Sequence, residues 1–244
     1  MRKIKIRGFI IPNDYKWLYD FFEIESTCPA DIEKALNEAN GEDVEVDINS
    51  PGGDMYSGSE IYTLLMAYPG KVITNGIGIV ASAASLPLVA GRPARISPTA
   101  QLMIHNVMSE PLGDYRVHEH EAKVLKGHNV SVANAYRLKT GLSEEKLLEL
   151  MDAGGSANMG TYLNAQQALE LGFVDEIMFD EGNRLVACAD YGPLFSPQVI
   201  NKLRNILLPV LKQEEENQSR DDNQEKALLQ ARLNLLKLKG GKLN

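Results

Sequence analysis

Two serines three residues apart, Ser82 and Ser85, lie in the uncharged run NGIGIVASAASLPLVAG that begins at Asn75. Met103-Ile104-His105 follows downstream, and the turn-forming Asn49-Ser50-Pro51-Gly52-Gly53 precedes it. A serine at a strand-to-helix junction presents its hydroxyl where unpaired helix N–H groups stabilise developing negative charge. An imidazole titrates near neutrality, which suits it as the base for such a hydroxyl. Serine, downstream histidine and a separate Gly-Gly turn are the parts of an acyl-transfer site. Each part alone has a plainer reading: small apolar runs are buried strands and helices in close contact, and single histidines are structural. On residue type alone both serines stand as nucleophiles, Ser82 at the helix start and Ser85 a turn inside. Ala83, directly after Ser82, can offer one backbone N–H to an oxyanion.

The elements that must position these groups follow from the hydrophobic pattern. Residues 3–11 alternate Ile4, Ile6 and Gly8 against Lys3, Lys5 and Arg7, which predicts an opening strand. A helix is expected over 29–39, with Pro29 in its first turn and Gly41 as a stop. A strand over 43–48 leads through the Ser50–Gly53 turn into a helix over 55–67, with Ile61, Leu64 and Leu65 facing inward. Residues 71–77 form the next strand, and Ser82 opens the helix after it, which Pro87 is expected to disturb. Residues 115–139 read as a long charged helix, and Ser143 caps another running through Asp152. This alternation argues an α/β fold with crossover units.

Composition narrows the function. A net charge of −8 over 244 residues disfavours nucleic acid or an acidic membrane as partner. Cys28 and Cys188 are far apart in sequence and offer neither a disulfide framework nor a metal cluster, which fits a reducing compartment. His118, His120 and His128 lie in the charged helix; the first two do not share a face, so they read as solvated rather than metal-binding. No cofactor is expected. No run approaches the roughly 20 apolar residues of a membrane helix, so a soluble, cytoplasmic protein is expected. Tyr191-Gly192-Pro193 and Ser196-Pro197 read as a linker between a domain over 1–190 and a tail over 191–244. That tail carries a polar, mostly acidic hinge over 213–222 and an apolar stripe through Ala227, Leu228, Ala231, Leu235 and Leu238, expected as a docking helix or coiled coil.

Four co-linear segments carry a resemblance: INSPGGDMYSGSEIY from Ile48, GIVASAASLPLVAG from Gly78, QLMIHN from Gln101 and LNAQQALELGFVDEI from Leu163. Together they resemble the Clp protease proteolytic subunit and its phage-encoded relatives in the ClpP/crotonase superfamily. The resemblance implies a spiral of β-β-α units with a helical handle over 115–152 through which subunits form homo-oligomeric rings. It places the nucleophile nine residues before Gly91, which selects Ser82 and leaves Ser85 dispensable, and it makes His105 the base. Its third triad member falls shortly before a Leu-x-Ala segment, here Leu163-Asn164-Ala165, and Asp152 is the nearby upstream Asp. Gly53 matches its second oxyanion donor beside Ala83, and Asp175 a structural position. The implied activity is a serine endopeptidase with a Ser82-His105-Asp152 triad, most like phage head-maturation proteases acting on scaffold or capsid protein. The alternatives are a cellular Clp subunit serving an ATPase, or a non-proteolytic crotonase-like or assembly protein.

Overall fold

The computed structural model describes residues 1–153 and 160–180. The domain boundary near 190, the linker and the helical tail expected from the sequence lie outside these residues, as does Cys188.

Strand β1 (Arg2–Ile10) alternates as its residues demand, burying Ile4, Ile6 and Ile10 while Lys3 and Lys5 stay exposed. It pairs in parallel with a two-residue β2 (Ser26–Thr27) on one side and with β3 (Val44–Gly53) on the other. Between β1 and β2 lies a short helix α1 (Lys16–Phe21). Helix α2 (Pro29–Ala39) starts on its proline, buries Ile32 and Leu36, and stops at Asn40 in the left-handed region. The crossover from β3 passes through α3 (Met55–Ala67), which buries Ile61 and Leu65 and is capped by Asp54 on the Ser57 N–H at 2.7 Å.

Strand β4 (Val72–Ala81) is longer than its sequence pattern suggests, and its two ends serve different neighbours. Thr74–Gly76 pair with β5 (Ala94–Ile96), whereas Ile79–Ala81 pair with β6 (Gln101–Ile104). The change of partner follows a register irregularity between Ile48 and Ser50 on β3, where Asn49 Oδ1 accepts the Ile79 N–H at 3.1 Å. The sheet therefore turns as it is followed along the chain. A single 3-10 turn (Ser82–Ala84) and a short α4 (Ser85–Val89) continue from β4. Pro87 lies in the first turn of the short α4, directly after the 3-10 turn, where proline is tolerated better than in a helix interior.

Helix α5 (Tyr115–Thr140) buries only its second half, through Val132, Ala133, Ala135 and Tyr136. Gly141 ends it at φ +73°, and Ser143 caps α6 (Glu144–Asp152) as expected. β7 (Thr161–Asn164) runs antiparallel to β6, the one antiparallel pair among the described strands. After α7 (Ala165–Glu170), β8 (Glu176–Ile177) closes the sheet on β5. Asp175 ties this end down, accepting the Ala94 N–H at 2.7 Å and the Lys139 ammonium at 2.5 Å. That is a structural task, as its position suggests.

Candidate active site

The end of β4 delivers Ser82 into a turn where its backbone takes φ +55°, a region costly for any residue with a Cβ. Such strain, about 1–3 kcal/mol, persists only where the surroundings impose it, and it throws the side chain outward. The Ser82 Oγ stands 2.6 Å from Nε2 of His105, which follows the last residue of β6. The β4–β6 pairing sets that distance, since Ala81 lies opposite Met103. Burial holds the His105 imidazole below its ordinary pKa, so at neutral pH the ring is an unprotonated base. With Nε2 accepting from the serine, the ring proton lies on Nδ1.

Nδ1 of His105 is buried and has no hydrogen-bond partner among the described residues. Asp152, expected there, is placed otherwise. It ends α6, and its Oδ1 accepts from Asn106 Nδ2 at 2.7 Å, so its carboxylate is turned to the neighbour of the histidine rather than to the ring. Against the His105 backbone stands Gly160 at φ +62°, where a Cβ would lie 2.1 Å from the Ile104 carbonyl and 2.5 Å from the His105 Cβ. The backbone of that segment thus approaches His105 more closely than any side-chain-bearing residue could.

Gly53 and Ala83 both line a cavity of about 290 Å³ that opens on Ser82 and His105. Gly52 N–H is engaged by the fully buried Ser50 Oγ at 3.1 Å, and that hydroxyl donates to the Gly8 carbonyl at 2.6 Å. The turn is therefore pinned to β1 from inside. Gly52 itself carries a requirement not legible as chemistry in the sequence. At φ +91°, its Cβ would stand 2.8 Å from the Ser82 Cβ and 2.9 Å from the Ala83 nitrogen.

Ser85 is not placed as a nucleophile. It is completely buried, and its hydroxyl bonds to the Ser82 carbonyl and the Tyr136 hydroxyl, each at 2.6 Å. His128 also departs from expectation: it lines the cavity and lies 3.1 Å from the Tyr56 hydroxyl, bridging α5 to the first turn of α3. Its position 8 residues before Tyr136 on the same helix was the available signal. The rest of the wall is mixed, with Met55, Leu86, Leu125 and Val132 apolar and Asp54, Ser109 and Glu121 polar. Among the described residues no group of three His, Cys, Asp or Glu could hold a metal ion, and no helix is long and apolar enough to cross a membrane.

A family model described as Clp protease matches residues 30–181. The ATP-dependent Clp protease proteolytic subunit 2 of Tropheryma whipplei is 28% identical over 138 residues, covering 56% of this chain and 73% of that protein. The ATP-dependent Clp protease proteolytic subunit of Bacteroides fragilis is 31% identical over 143 residues, covering 57% of this chain and 65% of the relative, just under two thirds of it. Among solved structures, a ClpP1 point mutant from Listeria monocytogenes superposes with a TM-score of 0.57 at 23% identity, over 72% of this chain and 91% of the other. That likeness establishes the fold, a ClpP-like α/β arrangement of parallel strands and helices.

Proposed function

Because this chain belongs to the Clp protease family, whose model matches more than half of it, we propose that it is a serine endopeptidase with Ser82 as nucleophile and His105 as general base. The observation that carries this reading is the 2.6 Å contact between Ser82 Oγ and His105 Nε2 at a backbone elbow of φ +55°. Ser82 Oγ attacks the scissile carbonyl while its proton passes to Nε2. The electron pair of the carbonyl moves to oxygen, which the Ala83 and Gly53 N–H groups receive. His105 then returns the proton to the leaving amine, and water repeats the cycle on the acyl-enzyme.

The working unit is the Ser82-His105 pair. Asp152, with its carboxylate on Asn106, supports the neighbouring loop rather than the imidazolium. Extended polypeptide is the substrate, lying beside the Gly52–Gly53 turn and held through its main chain, which tolerates varied side chains. Treatment with a fluorophosphonate followed by mass spectrometry tests this: modification of Ser82, absent in His105→Ala, is expected. Modification elsewhere, or none, overturns it.

The protein assembles as a homo-oligomeric ring through the exposed first half of α5, whose burial begins only at Val132. Two settings follow from different observations. The relatives named as ATP-dependent subunits favour an ATPase-fed cellular protease. The acidic, apolar-striped stretch that follows residue 181, beyond the family match, favours a head-maturation protease recruited to scaffold or capsid protein by assembly. Digestion of casein and of scaffold protein with and without ATP and a Clp ATPase separates them: ATP-independent cleavage supports the second, and strict dependence the first.

A further inference from the structure

The hydroxyls of Ser85 and Tyr136 form a buried chain that ends on the nucleophile's own backbone. The Ser82 carbonyl can only accept, and it receives both the Ser85 backbone N–H and the Ser85 Oγ proton, the latter at 2.6 Å. Ser85 has then spent its one proton, so in its 2.6 Å contact with Tyr136 the tyrosine must be the donor. Tyr136 keeps that proton throughout the working pH range, because burial pushes its hydroxyl up to about 12. Both residues lie inside the protein, Ser85 at 0% and Tyr136 at 2% exposure, so water does not compete for these bonds.

The consequence lies in the geometry of one peptide unit. Ser82 C=O and Ala83 N–H belong to the same planar trans peptide and point in opposite directions. Anchoring the carbonyl inward on Ser85 therefore turns the N–H outward. The Ala83 nitrogen faces the Gly-Gly turn, since a Cβ on Gly52 would stand 2.9 Å from it, and Ala83 lines the cavity. We propose that Ser85 and Tyr136 are positioning residues that aim the Ala83 N–H at the oxyanion, so that helix α5, through Tyr136, sets the hole's geometry. This rests on the peptidase reading above, and it replaces the expectation that Ser85 is dispensable.

The test compares Tyr136→Phe, Ser85→Ala and the double variant. Tyr136→Phe keeps the ring against Phe173, whose centroid is 5.4 Å away, so it preserves the packing that folding needs. Hydrolysis of a fluorogenic peptide gives kcat and KM. Inhibition by the matching peptide aldehyde reports on the hole: Ser82 Oγ bonds to the aldehyde carbon, the C=O electron pair moves to oxygen, and the hydroxyl proton passes to His105. The same peptide as an unreactive amide reports ground-state binding alone.

A misaimed donor is expected to lower kcat by roughly 10- to 100-fold, less than outright deletion of an oxyanion donor, while KM stays within about twofold. Aldehyde affinity falls by the same factor, amide affinity holds, and the double variant is no worse than Ser85→Ala because the two hydroxyls act in series. Wild-type kcat and aldehyde affinity in both single variants would overturn the proposal. So would amide binding that weakens in step with kcat, the mark of general disruption. If the wild type itself fails to label at Ser82 with a fluorophosphonate, the peptidase reading falls and takes this one with it. If it labels normally and the variants keep their aldehyde affinity, only the anchor is lost.

Discussion

At Ser82 a strained backbone and a short contact to His105 coincide, and the contact depends on one side-chain atom that a mutation can remove. Ser82→Ala is expected to abolish hydrolysis, and His105→Ala to be equally damaging, with the double variant little worse because the pair acts as a unit. Turnover of a peptide substrate measures all three. The pH dependence follows from the same geometry. Burial lowers the His105 pKa below its ordinary value of 6.5, so the acid limb of kcat/KM is expected below pH 6.5, and a limb above that value would contradict the burial argument. The stability effect has a definite sign: the unfolded chain takes up the proton first, so His105 removes folding stability as pH falls through 6.5 and none above it. Asp152→Asn should leave kcat within about threefold, since its carboxylate bonds Asn106 and not the imidazole. A loss of a hundredfold or more would restore Asp152 to the site.

Among the elements, the β3–α3 turn and the β4–α4 junction form one unit, because they meet with no room for a methyl group. Gly52→Ala adds a Cβ 2.5 Å from the Ala81 carbonyl and imposes φ +91° on a residue that resists it. The expected cost is roughly 2–4 kcal/mol of stability with loss of activity, read from denaturant unfolding and turnover. Ser50 acts at the same place from beneath, linking Gly52 to β1 through one buried hydroxyl. Helix α5 works at two levels: its second half packs Tyr136 beneath the Ser82–Ala84 turn through Ser85, and its first half stays exposed.

For the whole molecule, the exposed first half of α5 and the aromatic cluster of Trp17, Phe21 and Phe22 around α1 leave much apolar surface uncovered, with Phe21 74% exposed. A ring-forming homo-oligomer is expected, and sedimentation of a stable monomer at micromolar concentration would defeat it. Removal of residues 213–244 is expected to spare peptide hydrolysis while abolishing co-assembly with a substrate particle. Loss of peptide hydrolysis in that truncation would tie the tail to catalysis instead.

How far these features were legible depends on the range of the interactions behind them. Local order was plain from the chain: α2 begins at its proline, α3 spans the 55–67 helix that the turn and the apolar spacing predict, and the small-residue run that ends at Gly91 marked a strand-to-helix junction. Ser82 and His105 could be singled out as candidates because the family resemblance places their functional groups at a recognisable spacing. What the sequence could not carry was contact across the fold. Pro87 reads as a helix breaker until its place in a first turn is known. His128 reads as solvated until α5 is laid beside α3, and Ser85 as idle until Tyr136, 51 residues away, meets its hydroxyl. Asp152 falls at the expected end of α6, yet only three-dimensional packing decided that its carboxylate turns to Asn106. Backbone propensity acts over a few residues and is written locally; the direction of a side chain is set by neighbours that the chain brings up from elsewhere.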